Sequence, residues 1–239
     1  MALAVSKDLL QWERLGLADF ADYKQITFND VCNKDACIFP KPMTSPHGDT
    51  SIVMLHRPLF PGTLPEDIMC DTDDRRVRVH HECIWISYSD LMLNGREAEH
   101  LQEFESNSTL ALPEAAWEKI KIGAGTPPVL CKHGWLLVYH GVHQKLPVGD
   151  RSHHLVYSAG VMILGIDQPD NILYRSSHPI LEPQLLEERV GIVQSVVFPT
   201  GIDRPDDLGT PNRFDIYYGM ADNYIGVARL DIPDELLMG

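Results

Sequence analysis

Long apolar runs, paired cysteines and positive charge are all in short supply in this chain. Nowhere do about eighteen apolar residues follow one another, so no membrane-spanning helix is expected. The opening MALAVSKDLLQW carries Asp8 and no extended apolar stretch, which argues against a secretory signal. The five cysteines (Cys32, Cys37, Cys70, Cys83, Cys131) are odd in number and include no CxxC pair. That excludes a disulfide framework and a zinc ribbon, and reduced thiols in a cytoplasm fit best. Twenty basic residues stand against 34 acidic ones, a net charge of −14. Nucleic acid and anionic membrane are therefore not expected as partners, and any bound polyanion needs a local concentration of cations. Helical periodicity is scarce as well. Short apolar runs broken by Gly, Pro, Asn and Asp predict an all-β chain, and 239 residues suit a single domain over 1–239.

What is present is an internal repeat. SIVMLHRP (51–58), WLLVYHGV (135–142) and FDIYYGMAD (214–222) recur about every 80 residues. Each follows a run mixing apolar residues with proline: KDACIFPKP from Lys34, GTPPVLCKHG from Gly125 and QSVVFPTG from Gln194. A third run then closes on an acidic turn, as in IWISYSD to Asp90, AGVMILGID to Asp167 and IGVARLD to Asp231. A more polar outer strand fits YRSSHPILEP (174–183). Units of three to four strands repeating with inserted loops predict a β-propeller, with a two-sheet sandwich as the alternative. ALAVSKD aligns with the third-strand copies without a first or second strand before it, so the chain is expected to open in mid-blade and to hold about three and a half blades. The missing strands would come from elsewhere, a homo-oligomer among the sources.

The strings NKDACIFPKP, MLHRP, IWISYSD, KIGAGTPP, GWLLVYHGV, PILEP, VVFPTG and YYGMAD, in that order, resemble glycoside hydrolase family 130, from Ala2 to about Leu237. These are the β-mannoside phosphorylases and related mannosidases. The resemblance implies a five-bladed β-propeller, here incomplete at the N-terminus. It also implies inverting transfer of mannose from a β-mannoside oligosaccharide to inorganic phosphate, giving α-mannose 1-phosphate. Phosphate is then a co-substrate, and no cofactor is expected. A Glu-Asp-Pro-Arg-like motif, which carries the family's general-acid aspartate, does not stand in this sequence. The catalytic acid is thus unassigned, with Asp19 and Asp22 in LADFADYK as the in-chain candidates. Slow turnover of ordinary mannosides follows, with less impairment on aryl mannosides, whose leaving group scarcely needs a proton. A hydrolase of the same family and an impaired sugar-binding fragment are the alternative readings.

Transfer to phosphate needs several cations on one face of the sugar. The resemblance assigns this role to Lys34, Arg57, Lys121 and His140, and sugar binding to Asp35 and Asp222. The small residues 123–126 after Lys121 are expected to let the backbone approach the ligand. Each assignment has a structural counterpart. Lys34 and Lys121 can be surface lysines, His140 a core histidine, Arg57 a partner of a nearby carboxylate and Asp222 a turn residue. Asp35 can orient Lys34 or touch sugar. The histidine pairs His80–His81 and His153–His154 look metal-friendly, but adjacent histidines point apart on a strand, so no metal is predicted. Trp85, Trp117 and Trp135 can offer a sugar-stacking face or fill the core.

Overall fold

The computed structural model describes residues 1–23, 27–60, 82–91, 102–145, 154–205 and 209–236, with the backbone alone at 69–72 and 75–78. His80, His81 and His153 lie outside the described residues. Where the sequence suggests one domain, the chain divides into two compact units, Met1–Ala111 and Leu112–Gly239.

The first unit contains β1 (Ala2–Val5), β2 (Glu13–Leu17), β3 (Asp19–Phe20), β4 (Cys32–Ile38), β5 (Met43–Thr44), β6 (Thr50–Leu59), β7 (Met69–Thr72), β8 (Arg75–Arg78), β9 (Ile84–Asp90) and β10 (Glu103–Ala111). Its main sheet runs β3-β10-β9-β6-β4, with β5 also on β6, while β1-β2 and β7-β8 are separate two-stranded ribbons. Ala2–Val5, the first half of ALAVSKD, is therefore a strand, paired antiparallel with β2. β6 and β9 are buried along most of their length, which matches their near-continuous apolar runs better than one-sided alternation would. Aromatic rings fill the space between these elements: Phe20 stacks on Phe104 at 5.3 Å, and Phe28 meets Trp85 edge-on at 5.1 Å.

Within that aromatic cluster sits His56, fully buried. Its Nδ1 lies 3.1 Å from the Asn33 side-chain oxygen and its Nε2 2.7 Å from Ser87 Oγ. Ser87 in turn donates to Asn107, whose amide donates to the Ala21 carbonyl. Burial, helped by the N-terminal ammonium, pushes the His56 pKa down to about 3. An unfolded histidine protonates near about 6.5. Between these values the unfolded chain binds the extra proton, so the His56 contribution to stability is intact above pH 6.5 and is eroded as pH falls toward 3. The expected slope is about 1.4 kcal/mol per pH unit at its steepest. Urea unfolding at several pH values, compared with His56→Gln, isolates this slope. Parallel pH dependences in the two proteins would contradict it.

The second unit contains β11 (Lys121–Ala124), β12 (Val129–Cys131), β13 (Gly134–Lys145), β14 (His154–Leu164), β15 (Ile172–Arg175), the single-turn helix α1 (Leu186–Arg189), β16 (Val197–Asp203), β17 (Arg213–Met220) and β18 (Tyr224–Asp231). One sheet runs β11-β13-β14-β15 with β12 also on β13, and the other runs β16-β17-β18. Two short strands stand where the sequence suggests one before WLLVYHGV, because Pro127 and Pro128 interrupt the ladder between β11 and β12. The facing sides of the two sheets form the core, with Leu136, Val138, Val161 and Ile163 packed against Val197, Phe214 and Ile216. On the opposite side of β13, Trp117 lies against Gly141 and Gly160, where any Cβ would collide with the indole. Trp85, Trp117 and Trp135 are all buried, so all three fill cores and none offers a stacking face.

A second repeat emerges only in three dimensions. Glu118 follows a 3-10 turn, is wholly buried, and accepts hydrogen bonds from the Glu114 and Ala115 amides and from the Tyr139 hydroxyl at 2.8 Å. Glu188 on α1 does the same with the Gln184 and Leu185 amides and the Tyr218 hydroxyl at 2.9 Å. Each glutamate thus ties a helical turn to the long second strand of its sheet. Burial and the neighbouring carboxylate raise the Tyr218 pKa to about 12, and burial raises that of Tyr139 as well, so both phenols stay protonated donors.

Candidate functional site

The six residues assigned by resemblance divide between the units. In the first unit, Lys34 and Arg57 are register partners across β4 and β6. The ladder then slips between Lys34 and Cys37, and Asp35 takes a left-handed backbone, φ 54°. Such a bulge re-aims a side chain. Here it turns the Asp35 carboxylate onto Arg57, with Oδ2 2.5 Å from Nε. Glu82 pairs with the same guanidinium from the other side. Arg57 is therefore a buried cation compensated by two carboxylates, and Asp35 orients it rather than Lys34. Lys34 itself is exposed.

In the second unit, Gly123 pairs with His140 and Lys121 with Val142, and on β14 Ala159 and Tyr157 are the respective partners. Directly opposed residues share a sheet face, so Lys121, His140 and Tyr157 stand on one side, the side facing β16. Lys121 Nζ lies 5.6 Å from the centre of the Tyr157 ring. The His140 ring is fully buried, 4.4 Å from the Phe198 ring and 6.2 Å from that of Tyr157. The structure thus brings Lys121 and His140 together and adds two aromatic residues that the sequence reading missed. Tyr157 had one available signal: it lies directly across from Val142, two residues beyond His140, on the next strand of the same unit.

Two of the short side chains after Lys121 are packed closely by neighbouring strands. A Cβ on Gly125 would come within 2.6 Å of the Val138 carbonyl and 2.7 Å of Pro199. Thr126 is wholly buried, and its amide donates to that same carbonyl at 2.9 Å. Crowding by β13 and Pro199 thus requires a small residue at position 125.

Asp222 is exposed and sits in the turn between β17 and β18, with φ 48° at Ala221 and 53° at Asp222. Aspartate is one of the few residues that adopts this conformation readily. The turn is tied inward, since the Ala221 amide donates to Val196 and Val196 bridges to Tyr157. Asp19 and Asp22 are exposed, and the Asp19 carboxylate accepts from the Asn29 amide at 2.5 Å. Among the described residues no three His, Cys, Asp or Glu side chains are placed to hold a metal ion, and no helix is long and apolar enough to cross a membrane.

Chemically, a half-buried ammonium beside an aromatic face and a neighbouring histidine can hold a small anion with charge-assisted hydrogen bonds, about twice as strong as neutral ones.

Comparison with known proteins bears on this directly. The family model of glycoside hydrolase family 130, described as beta-1,4-mannooligosaccharide phosphorylase, matches residues 1–238. The chain is 30% identical over 234 residues to a 1,2-beta-oligomannan phosphorylase of Thermoanaerobacter sp. (strain X514), covering 98% of this chain and 59% of that protein. It is 39% identical over 122 residues to a beta-1,4-mannooligosaccharide phosphorylase of Ruminococcus albus, covering 51% of this chain and 34% of the relative. Among solved structures, a beta-1,2-mannobiose phosphorylase from Listeria innocua superposes with a TM-score of 0.66 at 23% identity, over 96% of this chain and 50% of that one. A glycosyl hydrolase from Bacteroides ovatus superposes with a TM-score of 0.61 at 20% identity, over 96% of this chain and 57% of that one. These neighbours are five-bladed β-propellers, and the sheets described above are part of that fold. The chain spans less than two thirds of the length of the relatives it matches.

Proposed function

The chain belongs to glycoside hydrolase family 130, and from that premise we propose that it serves phosphorolysis of β-mannosides. Inorganic phosphate is the acceptor. One phosphate oxygen attacks the anomeric carbon of the mannosyl unit from the face opposite the leaving sugar, the glycosidic C–O bond breaks, and the departing oxygen takes up a proton. The products are α-mannose 1-phosphate and the shortened sugar, with the anomeric configuration inverted.

The observation that carries this reading is the placement of Lys121 and His140 on one sheet face, next to Tyr157, in a chain of net charge −14. Lys121 contacts the phosphate in this proposal, and the buried His140 backs the aromatic wall on which the lysine lies. In the first unit Lys34 is an exposed cation and a further candidate for anion binding, while Arg57, its register partner, is held by Asp35 and Glu82. Asp222 contacts the mannosyl hydroxyls. The named relatives are themselves phosphorylases of mannosides, which supports the same substrate class.

We further place the protein in the cytoplasm. Cys32, Cys37, Cys83 and Cys131 are unbridged, and burial with Asp35 nearby pushes the Cys37 thiol up to about 12, which keeps it protonated. The test is a phosphate titration with an aryl β-mannoside. Release of the phenol should rise with phosphate and saturate; a rate indifferent to phosphate would overturn the proposal.

A further inference from the structure

One cleft of the second unit is not used by the assignments above. It has a volume of about 650 Å³ and opens where β13 ends and β14 begins, beside the segment that carries α1. That size suits one saccharide unit with room for its water. Gln144, Gln184 and Ser195 line it with donors and acceptors of the kind that match sugar hydroxyls, and Lys145, Arg189 and Glu182 supply charge.

Arg57, Arg175, Arg213 and Arg229 each pair with an Asp or Glu. Among the described residues neither Lys145 nor Arg189 has an ion-pair partner, although the chain carries 34 carboxylates. Arg189 uses its Nε on the Pro183 carbonyl at 3.3 Å, which fixes the side chain and leaves the terminal guanidinium nitrogens available to a ligand. Among the cleft's described lining residues, two cations stand against the single Glu182. The cleft also adjoins the candidate anion site, because the Ser195 carbonyl accepts the Tyr157 amide at 3.0 Å and the Tyr157 ring lies under Lys121.

We propose that this cleft binds a hexose bearing an anionic group, a uronate carboxylate or a phosphate ester, as the sugar to which mannose is joined. The proposal rests on the reading of the chain as a mannoside phosphorylase. Gln144, Gln184 and Ser195 recognise the hydroxyls, Lys145 and Arg189 the anion, and Glu182 a ring hydroxyl on the opposite side.

The test is calorimetric titration of the 239-residue chain with glucuronate, glucose 6-phosphate, glucose and inorganic phosphate. At least one charged hexose should bind tenfold or more tightly than glucose, with affinity that falls as salt is raised. The tighter of the two identifies the anion. In Lys145→Gln/Arg189→Gln, two exposed changes that remove the charge and keep a polar side chain, the charged hexose should fall to the level of glucose. Equal binding of glucose, a preference that survives the double substitution, or displacement of the sugar by inorganic phosphate at equal concentration would overturn the proposal. These titrations read binding alone. Absence of phosphate-dependent turnover alongside a retained preference would remove the phosphorylase reading and leave the cleft as an acidic-sugar site.

Discussion

Lys121→Ala should lower phosphate-dependent turnover of an aryl β-mannoside by about a hundred- to a thousandfold, the usual loss when one preorganised donor to a reacting anion is removed. The physical reason is the location of its ammonium. It starts from the first residue of β11, on the face shared with His140, and its Nζ is held 5.6 Å from the centre of the Tyr157 ring. A lysine placed this way is partly desolvated, so the anion meets a charge less screened than one in bulk water. The loss should appear as a raised half-saturating phosphate concentration together with a lowered maximal rate, while the half-saturating mannoside concentration changes little. Lys121→Arg should recover only part of the rate, since a planar guanidinium does not reproduce a compact ammonium at this site. A fall in mannoside affinity with unaltered phosphate dependence would assign Lys121 to the sugar instead.

The second large effect concerns stability. Glu118→Ala should lower the unfolding free energy by about 3–5 kcal/mol, the range for breaking a buried ion pair by removing one partner. The carboxylate is fully buried and serves four donors at once: two backbone amides, the Tyr139 hydroxyl and Arg175, whose terminal nitrogen is 2.7 Å away. Truncation removes the shared acceptor, and Arg175 is left with the Leu112 carbonyl and Glu114. Glu118→Gln keeps the shape and one acceptor, so its cost should be smaller, about 1–3 kcal/mol. Urea midpoints for both variants and for Tyr139→Phe decide the matter. A loss under 1 kcal/mol for the alanine variant would mean that water replaces the carboxylate.

The contrast between these two residues indicates what can be read from sequence. Lys121 and His140 were singled out by resemblance alone; that they share a sheet face follows from the register of β11 on β13, which the sequence does not state. The long strands β6 and β13 were legible as near-continuous apolar runs, buried along most of their length, and β17 as an alternating one. Glu118 and Glu188 were not, because a glutamate near a helical turn looks like a solvated charge until the fold surrounds it. The pairing of Arg57 with Asp35 and Glu82 likewise joins residues more than twenty positions apart, through a bulge whose left-handed aspartate leaves no mark in the pattern. At Gly125, crowding by β13 and by Pro199 demands the same small side chain as an approaching ligand, so the sequence alone does not separate the two causes.

The most direct test of the account is the identity of the product that carries mannose. The 239-residue chain is incubated with an aryl β-mannoside and inorganic phosphate, and the mixture is followed by phosphorus NMR together with an assay for free mannose. An aryl leaving group departs with little help from an acid, so the measurement isolates the acceptor. The account predicts α-mannose 1-phosphate formed in step with the released phenol, no free mannose, and no release without phosphate. Free mannose appearing at the same rate with and without phosphate would contradict it, because water would then be the acceptor and the cations around Lys121 would have some other purpose.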